Sequence, residues 1–430
     1  MSDLEAVNSA LREASPALFE ALSPLGRRVA FPPDIPFQAA QARGVAYNGT
    51  IGQITDGRGG AVALPSIERA LAGLGGEDLD RAVLYSPVEG IPEARRLWRA
   101  WQRRGQPEER VSTLPVVTVG LTHGLSIAAD LFGGEGRAIA VPSPFWGNSR
   151  QTFANRTGAV MKTAPAYRGG RYDPEWPRRA LADLPPGEPA VAIVNLPSNP
   201  GGYSVTPDED ARLREALLAE ADRRPLVVVC DDAYAGLVFE PEAMAESIFW
   251  RLAGVHPSLV PVKVDGATKE ISFFGARVGF VTFAFAEGSP AAQALESKVK
   301  CLTRAALGSP VAATQVLLLQ ALRDDTLETQ VAEVRALLGR RYRRLREALA
   351  GVDRALLRPL PFNSGCFALL EIPEELGIDS ESVRRHLLAQ HDAGVISIAP
   401  RYLRIAFCSV GEEALPELVA RIEAGVRDLA

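Results

Sequence analysis

The chain has 430 residues, 47% hydrophobic and 23% charged, with a formal net charge of −5. That length exceeds one compact core and suits two domains, and the acidic balance gives no electrostatic footing for a nucleic-acid or anionic-membrane partner. No apolar run approaches the roughly 20 residues a spanning helix needs, and Met1-Ser2-Asp3-Leu4-Glu5 lacks a basic, apolar leader. A cytoplasmic location is therefore expected. Cys230, Cys301, Cys366 and Cys408 form no CxxC pair, and the four histidines are scattered. Reduced, packed thiols and no metal centre are expected. The only lysines are Lys162, Lys263, Lys269, Lys298 and Lys300, so any lysine chemistry has few candidates.

Leu4, Leu11 and Leu18 at helical spacing predict a helix over 4–23. Pro32, Pro33 and Pro36 predict an extended arm after it. Helices are expected over 64–72 and 92–104, each with proline near its first turn. From about residue 116 short apolar strands alternate with helices. Strands are predicted over 115–119, 138–141, 191–194, 226–230 and 278–283, with helices through 125–131 and over 207–223. This pattern predicts an α/β fold, a mostly parallel central sheet with flanking helices. An arginine-rich helix near 327–349, strands near 367–370 and 403–407, and a terminal helix from about 412 predict a smaller α+β domain.

Four segments put polar groups at strand ends, where sites form in open α/β sheets. Gly120-Leu121-Thr122-His123-Gly124 opens a helix, whose free N–H groups suit a phosphate; it also reads as a plain strand-to-helix turn. Asn199, in Asn195-Leu196-Pro197-Ser198-Asn199-Pro200-Gly201, has a side-chain amide within reach of a ligand, or belongs to a simple turn. Asp231, after Val227-Val228-Val229-Cys230, is costly to bury without a cationic partner. Lys269, with Arg277 opening the next strand, is either a lowered-pKa amine nucleophile or a solvated turn residue.

The order of these segments resembles the fold-type-I pyridoxal-phosphate enzymes, specifically the class I aminotransferases, from about Gly52 to Arg404. The resemblance implies that Lys269 carries pyridoxal 5′-phosphate as a Schiff base and then moves the substrate proton. Asp231, three residues before Tyr234, pairs with the ring nitrogen. Tyr234 and Asn199 meet the cofactor's 3′-oxygen. Arg277, Leu121 N–H and Thr122 hold the phosphate. Gly266 stands where the family often has a hydroxyl, so one phosphate contact is either missing or replaced by Thr268. Trp146 stacks on the ring, and Tyr85 reaches the phosphate of a neighbouring subunit. Arg404 and the Ile51-Gly52 loop bind the substrate carboxylate, Asn199 lies beside it, and Phe367 lines the mouth. Arg304 matches a position from which dicarboxylate-specific members recognise an acidic side chain across the dimer; it also reads as a structural or phosphate-side residue.

The resemblance further implies a homodimer with shared sites, and ping-pong transfer of an amino group from an amino acid to a 2-oxo acid, with an acidic substrate in view through Arg304. A lyase or decarboxylase on the same scaffold is the alternative. A ligand-sensing regulator is disfavoured, because the cofactor-domain pattern starts near residue 48. The expected division is an N-terminal helix and arm over 1–48 packing with the small domain, a cofactor-binding domain over 49–325, and a small domain over 326–430.

Overall fold

The computed structural model describes residues 3–107, 110–398 and 400–430. Its centre is a seven-stranded sheet. The strands are β1 (Val116–Val119), followed by helix α1 (Gly120–Phe132), then β2 (Ala138–Ser143), β3 (Val160–Pro165) and β4 (Ala190–Asn195). Helix α2 (Pro207–Ala221), β5 (Leu226–Asp231), β6 (Leu259–Gly266), the one-turn helix α3 (Ala267–Glu270) and β7 (Val278–Phe283) complete it. Spatial order is β1-β7-β6-β5-β4-β2-β3, and β7 runs antiparallel to both its neighbours. The sheet is thus mostly parallel, as the alternating strands and helices predict.

Strands buried on both faces read as continuous apolar runs, and side chains alternate between the faces. Along β4, Val191 and Ile193 enter one core while Ala190, Ala192 and Val194 enter the other. Helix α2 starts at a capping box: Thr206 accepts from Glu209 N–H while the Glu209 side chain reaches back to Thr206 N–H.

Helix α4 (Pro290–Leu307) and the 24-residue helix α5 (Leu327–Ala350) follow. Leu327, Val334 and Leu338 of α5 join the sheet's core, whereas Tyr342, Leu345 and Leu349 join a third core. That core lies under a four-stranded antiparallel sheet of β8 (Arg358–Pro359), β9 (Phe367–Glu371), β10 (Ile396–Ile398) and β11 (Tyr402–Ala406), in order β8-β9-β11-β10. Helix α6 (Ser380–Gln390) and the last helix, α7 (Leu415–Arg427), cover it.

Three expectations need correction. The helix predicted over 4–23 breaks: Asp3–Ala14 ends, and Ser15 caps a separate helix, Pro16–Ala21, because Pro16 fits a first turn but not a helix interior. The proline-rich arm is partly helical, with Pro36 in the first turn of Ile35–Gln41. The histidines are not all scattered, since His386 and His391 both reach Asp428 Oδ2, at 3.0 and 2.8 Å, where α6 meets the end of α7. Strands β3 and β6 carried no prediction.

Candidate cofactor and substrate site

The sheet's register brings the sequence motifs together. Asn195 and Asp231 are paired at the carboxyl ends of adjacent parallel strands, and β6 ends one strand further on, directly before Lys269. Because β7 is antiparallel, its first residues return to the same end: Val278 pairs with Val119, and Gly279 with Gly266. Arg277, just before β7, therefore faces the start of α1.

Space at this junction is tight. A Cβ on Gly120 would lie 2.5 Å from Arg277 Nη2, and Gly120 has φ +73°, which favours glycine. A Cβ on Gly266 would lie 2.5 Å from Val278 O and 2.8 Å from Gly279 Cα. This explains the glycine at a position where a hydroxyl was expected: no side chain fits there. Arg277 and Ser272, both non-glycine, adopt left-handed φ of 53° and 52° on either side of this loop, local strain of the kind that concentrates at functional sites.

A cavity of about 290 Å³ opens at the strand ends, lined by Leu121, Thr122, Trp146, Asn199, Asp231, Tyr234, Lys269, Arg277, Gly52, Phe367 and Arg404. All eleven were singled out from the sequence, and Ile51 and Thr268, also named there, line the cavity as well. Tyr85 and Arg304 lie elsewhere. Tyr85 is 96% exposed, and Arg304 sits on the exposed face of α4, donating to Gly308 O at 3.4 Å. Ile35, Gln53, Asn195, Leu125 and Phe274 also line the cavity and were missed. Asn195 stood inside the quoted loop, and the hydrogen bond from its Nδ2 to Asp231 O (2.9 Å) depends on strand pairing that sequence does not show. Ile35 comes from the arm, distant along the chain.

Within the cavity a polar chain runs from Tyr234 to Thr50. Asn199 Nδ2 donates to Tyr234 Oη (3.4 Å), Arg404 Nη1 to Asn199 Oδ1 (3.1 Å), and Arg404 Nη2 to Thr50 O (2.8 Å). The Arg404 guanidinium stacks over the Phe367 ring at 4.3 Å. Phe367 meets the ring of Tyr234 edge-on and abuts Gly52, where a Cβ would lie 2.6 Å from Phe367 Cζ. Two buried polar atoms on lining residues have no protein partner, Arg404 Nε and Thr268 Oγ1.

Burial dominates the electrostatics. It lowers the Lys269 amine below its ordinary value, with nearby Asp231 offsetting only part of the effect. It raises Asp231 to about 6, against the pull of Lys269 and of the Ala233 N–H bond. It lowers Arg404 to about 10 and holds the Tyr234 phenol well above its usual range, hence neutral. Lys269, Asp231 and Arg404 are displaced toward their uncharged forms, as expected where a charged ligand completes the set.

The donor set fits pyridoxal phosphate. A carboxyl group that needs a cation, a lowered-pKa lysine, an arginine beside a helix N-terminus and a half-buried tryptophan all face one cavity. Thr268, whose buried hydroxyl has no protein partner, lines the same cavity as Arg277. Fold and cavity together define a fold-type-I pyridoxal-phosphate enzyme.

Comparison with known proteins narrows the class. Residues 56–422 match the family model "Aminotransferase class I and II", and the chain belongs to that family. It is similar to 2-aminoadipate transaminase of Thermus thermophilus, with 28% identity over 365 residues, 81% of this chain and 82% of the relative. Its fold is similar to that of an aminotransferase from Anaerococcus prevotii (TM-score 0.79, 19% identity, 92% and 98% of the two chains). It is also similar to α-aminoadipate aminotransferase LysN from Thermus thermophilus, complexed with N-(5′-phosphopyridoxyl)-L-leucine (TM-score 0.77, 21% identity, 96% and 99% of the two chains). The chain is a pyridoxal-phosphate-dependent aminotransferase acting on amino and 2-oxo acids.

Proposed function

We propose the following residue roles for this aminotransferase, carried by one observation: Lys269, Asp231, Arg277 and Arg404 converge on a single cavity. When bound, pyridoxal phosphate supplies an electron sink for the charge left at the substrate Cα. Lys269 attaches the cofactor. Its depressed pKa favours the free amine, which is the nucleophile, and once displaced that amine would take the proton from the substrate Cα and deliver it to the cofactor's C4′. Asp231 holds the proton on the ring nitrogen; a cation there would draw its carboxyl down from about 6.

Tyr234 and Asn199 donate to the 3′-oxygen, and Trp146 lies against the ring. Arg277, Thr122, the Leu121 N–H and the Thr268 hydroxyl hold the phosphate. Arg404 binds the substrate carboxylate with its remaining donors, Gly52 lies beside that carboxylate, and Phe367 closes the mouth.

A homodimer is the reading that the surface supports. Val83, Leu84 and Tyr85 are exposed, as are Leu307 and Val311, and Ser86 Oγ donates to Pro310 O (2.8 Å), joining the two segments. An apolar patch of this kind suits an interface, and in such a dimer Tyr85 and Arg304 would serve a neighbouring site. The cytoplasm suits the free cysteines. The proposed division is an arm over 1–48, a cofactor domain over 49–325 and a small domain over 326–430. Among the described residues no helix is long and apolar enough to cross a membrane.

The test is a two-step titration of the purified holoenzyme. An amino acid should bleach the lysine-bound cofactor band and release a 2-oxo acid, and a second 2-oxo acid should restore the band. Initial rates should give parallel double-reciprocal lines. Release of ammonia or carbon dioxide with no need for a second oxo acid would replace this reading with a lyase or decarboxylase.

A further inference from the structure

A second opening adjoins the cofactor cavity, a groove of about 850 Å³ that shares Ile35, Trp146 and Asn199 with it. One wall is the N-terminal arm, the opposite wall the loop after β2, and the third side β10. Gln38 fastens the arm to β10: its Nε2 donates to Ser397 O (3.1 Å) and its Oε1 accepts from Ser397 N–H (2.8 Å). The arm is therefore a fixed wall of the groove.

Arg404 sets the substrate's orientation at the shared end. With the carboxylate on Arg404 and the amino group toward Lys269, a side chain can extend into the groove, which meets the cavity at Ile35, Trp146 and Asn199. Its walls are apolar, with Phe31, Ile35, Phe145, Trp146, Ile396 and Ile398 prominent. Phe31 is 74% exposed, a large ring that an apolar occupant would cover. No lysine or arginine occurs among the lining residues. Arg150 stacks near the Phe145 ring at 5.7 Å but does not line the groove. The single ionisable lining residue is Asp34, whose Oδ1 is buried and unpartnered. A second carboxylate there would meet apolar walls and a like charge, with no cation to offset its desolvation.

We propose that this groove is the side-chain subsite, that it takes amino acids with large aromatic or aliphatic side chains, and that Asp34 excludes acidic ones. The inference rests on the placement of Arg404 and Lys269 proposed above. It departs from the acidic substrate that the position of Arg304 suggested.

Two readouts separate the subsite from the chemistry. Binding of unreactive analogues to the holoenzyme is measured by calorimetry, comparing 3-phenylpropanoate with glutarate. Conversion of the cofactor band is then followed with phenylalanine, leucine, glutamate and 2-aminoadipate. The expected result is 3-phenylpropanoate binding at least tenfold tighter than glutarate, with the same order in conversion rates. Asp34→Asn should tighten glutarate about fivefold, and Phe31→Ala should weaken 3-phenylpropanoate about tenfold. Glutarate binding as tightly as 3-phenylpropanoate would overturn the inference; loss of that binding in Arg304→Ala would assign acid recognition to α4. If the analogue preference is as expected but no amino acid converts the band, the apolar preference stands and the chemical role given to Lys269 falls.

Discussion

Two lysines on one short stretch of chain live in opposite electrostatic settings. Lys263, on β6, is buried with Asp265 in contact, Gln102 Oε1 at 2.7 Å and Asp232 Oδ2 at 3.4 Å. Burial alone would depress it, but the carboxylates of Asp265 and Asp232 outweigh burial and hold the ammonium above its ordinary value. Trp98 Nε1 donates to Asp265 (3.1 Å), and Trp101 Nε1 (2.7 Å) and Gln102 Nε2 (3.0 Å) donate to Glu270. Lys269 has no such partner among the described residues: its Nζ lies 5.1 Å from the centroid of the Tyr234 ring, and burial lowers it. Paired buried charges stabilise or at least hold a structure, whereas separated ones are kept ready for something else. The difference also distinguishes Asp232, which faces Lys263, from Asp231, which lines the cavity.

Breaking each side of this comparison should have a different signature. Lys269→Ala should cut turnover on the order of 10³-fold or more while thermal stability stays near wild type, read by steady-state rates and a melting curve. Lys263→Met should do the reverse. It leaves Asp232 and Asp265 buried without their cation, and urea unfolding at pH 7 should show a loss of about 3–5 kcal/mol. Arg404→Lys removes a planar, two-pronged donor from the cavity and should raise KM for the amino acid about 10–100-fold with a smaller change in kcat.

A subtler test is pH. The Asp231 carboxyl is raised from 3.8 to about 6 in the cofactor-free chain, so the folded state holds its proton more tightly than the unfolded state does. That contribution is fully present below about pH 4 and is lost as pH rises through about 6. Asp231→Asn should flatten this stretch of the apoenzyme's stability profile, measured by denaturant unfolding from pH 4 to 7. The smallest effect is expected for Trp101→Phe, which leaves Glu270 short of one donor and should cost about 1–2 kcal/mol with turnover little changed.

The sequence made the sheet and most of the cofactor set legible for a physical reason. Parallel strands buried on both faces, such as 190–195 and 226–231, are written as unbroken apolar runs, and their polar ends fall where ligands bind. Strand β6 escaped because Pro261, Lys263 and Asp265 interrupt its apolar run. Those two charges are buried because they meet each other, Asp232, and Trp98 and Gln102 from a distant helix. The groove was equally hidden. Its walls come from residues 29–38, 145–151 and 396–398, and nothing in their spacing reports that Gln38 ties the arm to β10. Position 266 read as a lost contact, yet the close approach of β7 shows why no side chain stands there.

The central claim is that, of five lysines, Lys269 alone carries the cofactor. Borohydride reduction of the holoenzyme turns the lysine linkage into a stable secondary amine, and peptide mass spectrometry then locates it. The account predicts the phosphopyridoxyl mass on the peptide containing Lys269, with Lys263 unmodified. The label on Lys263 or on any other lysine would contradict it.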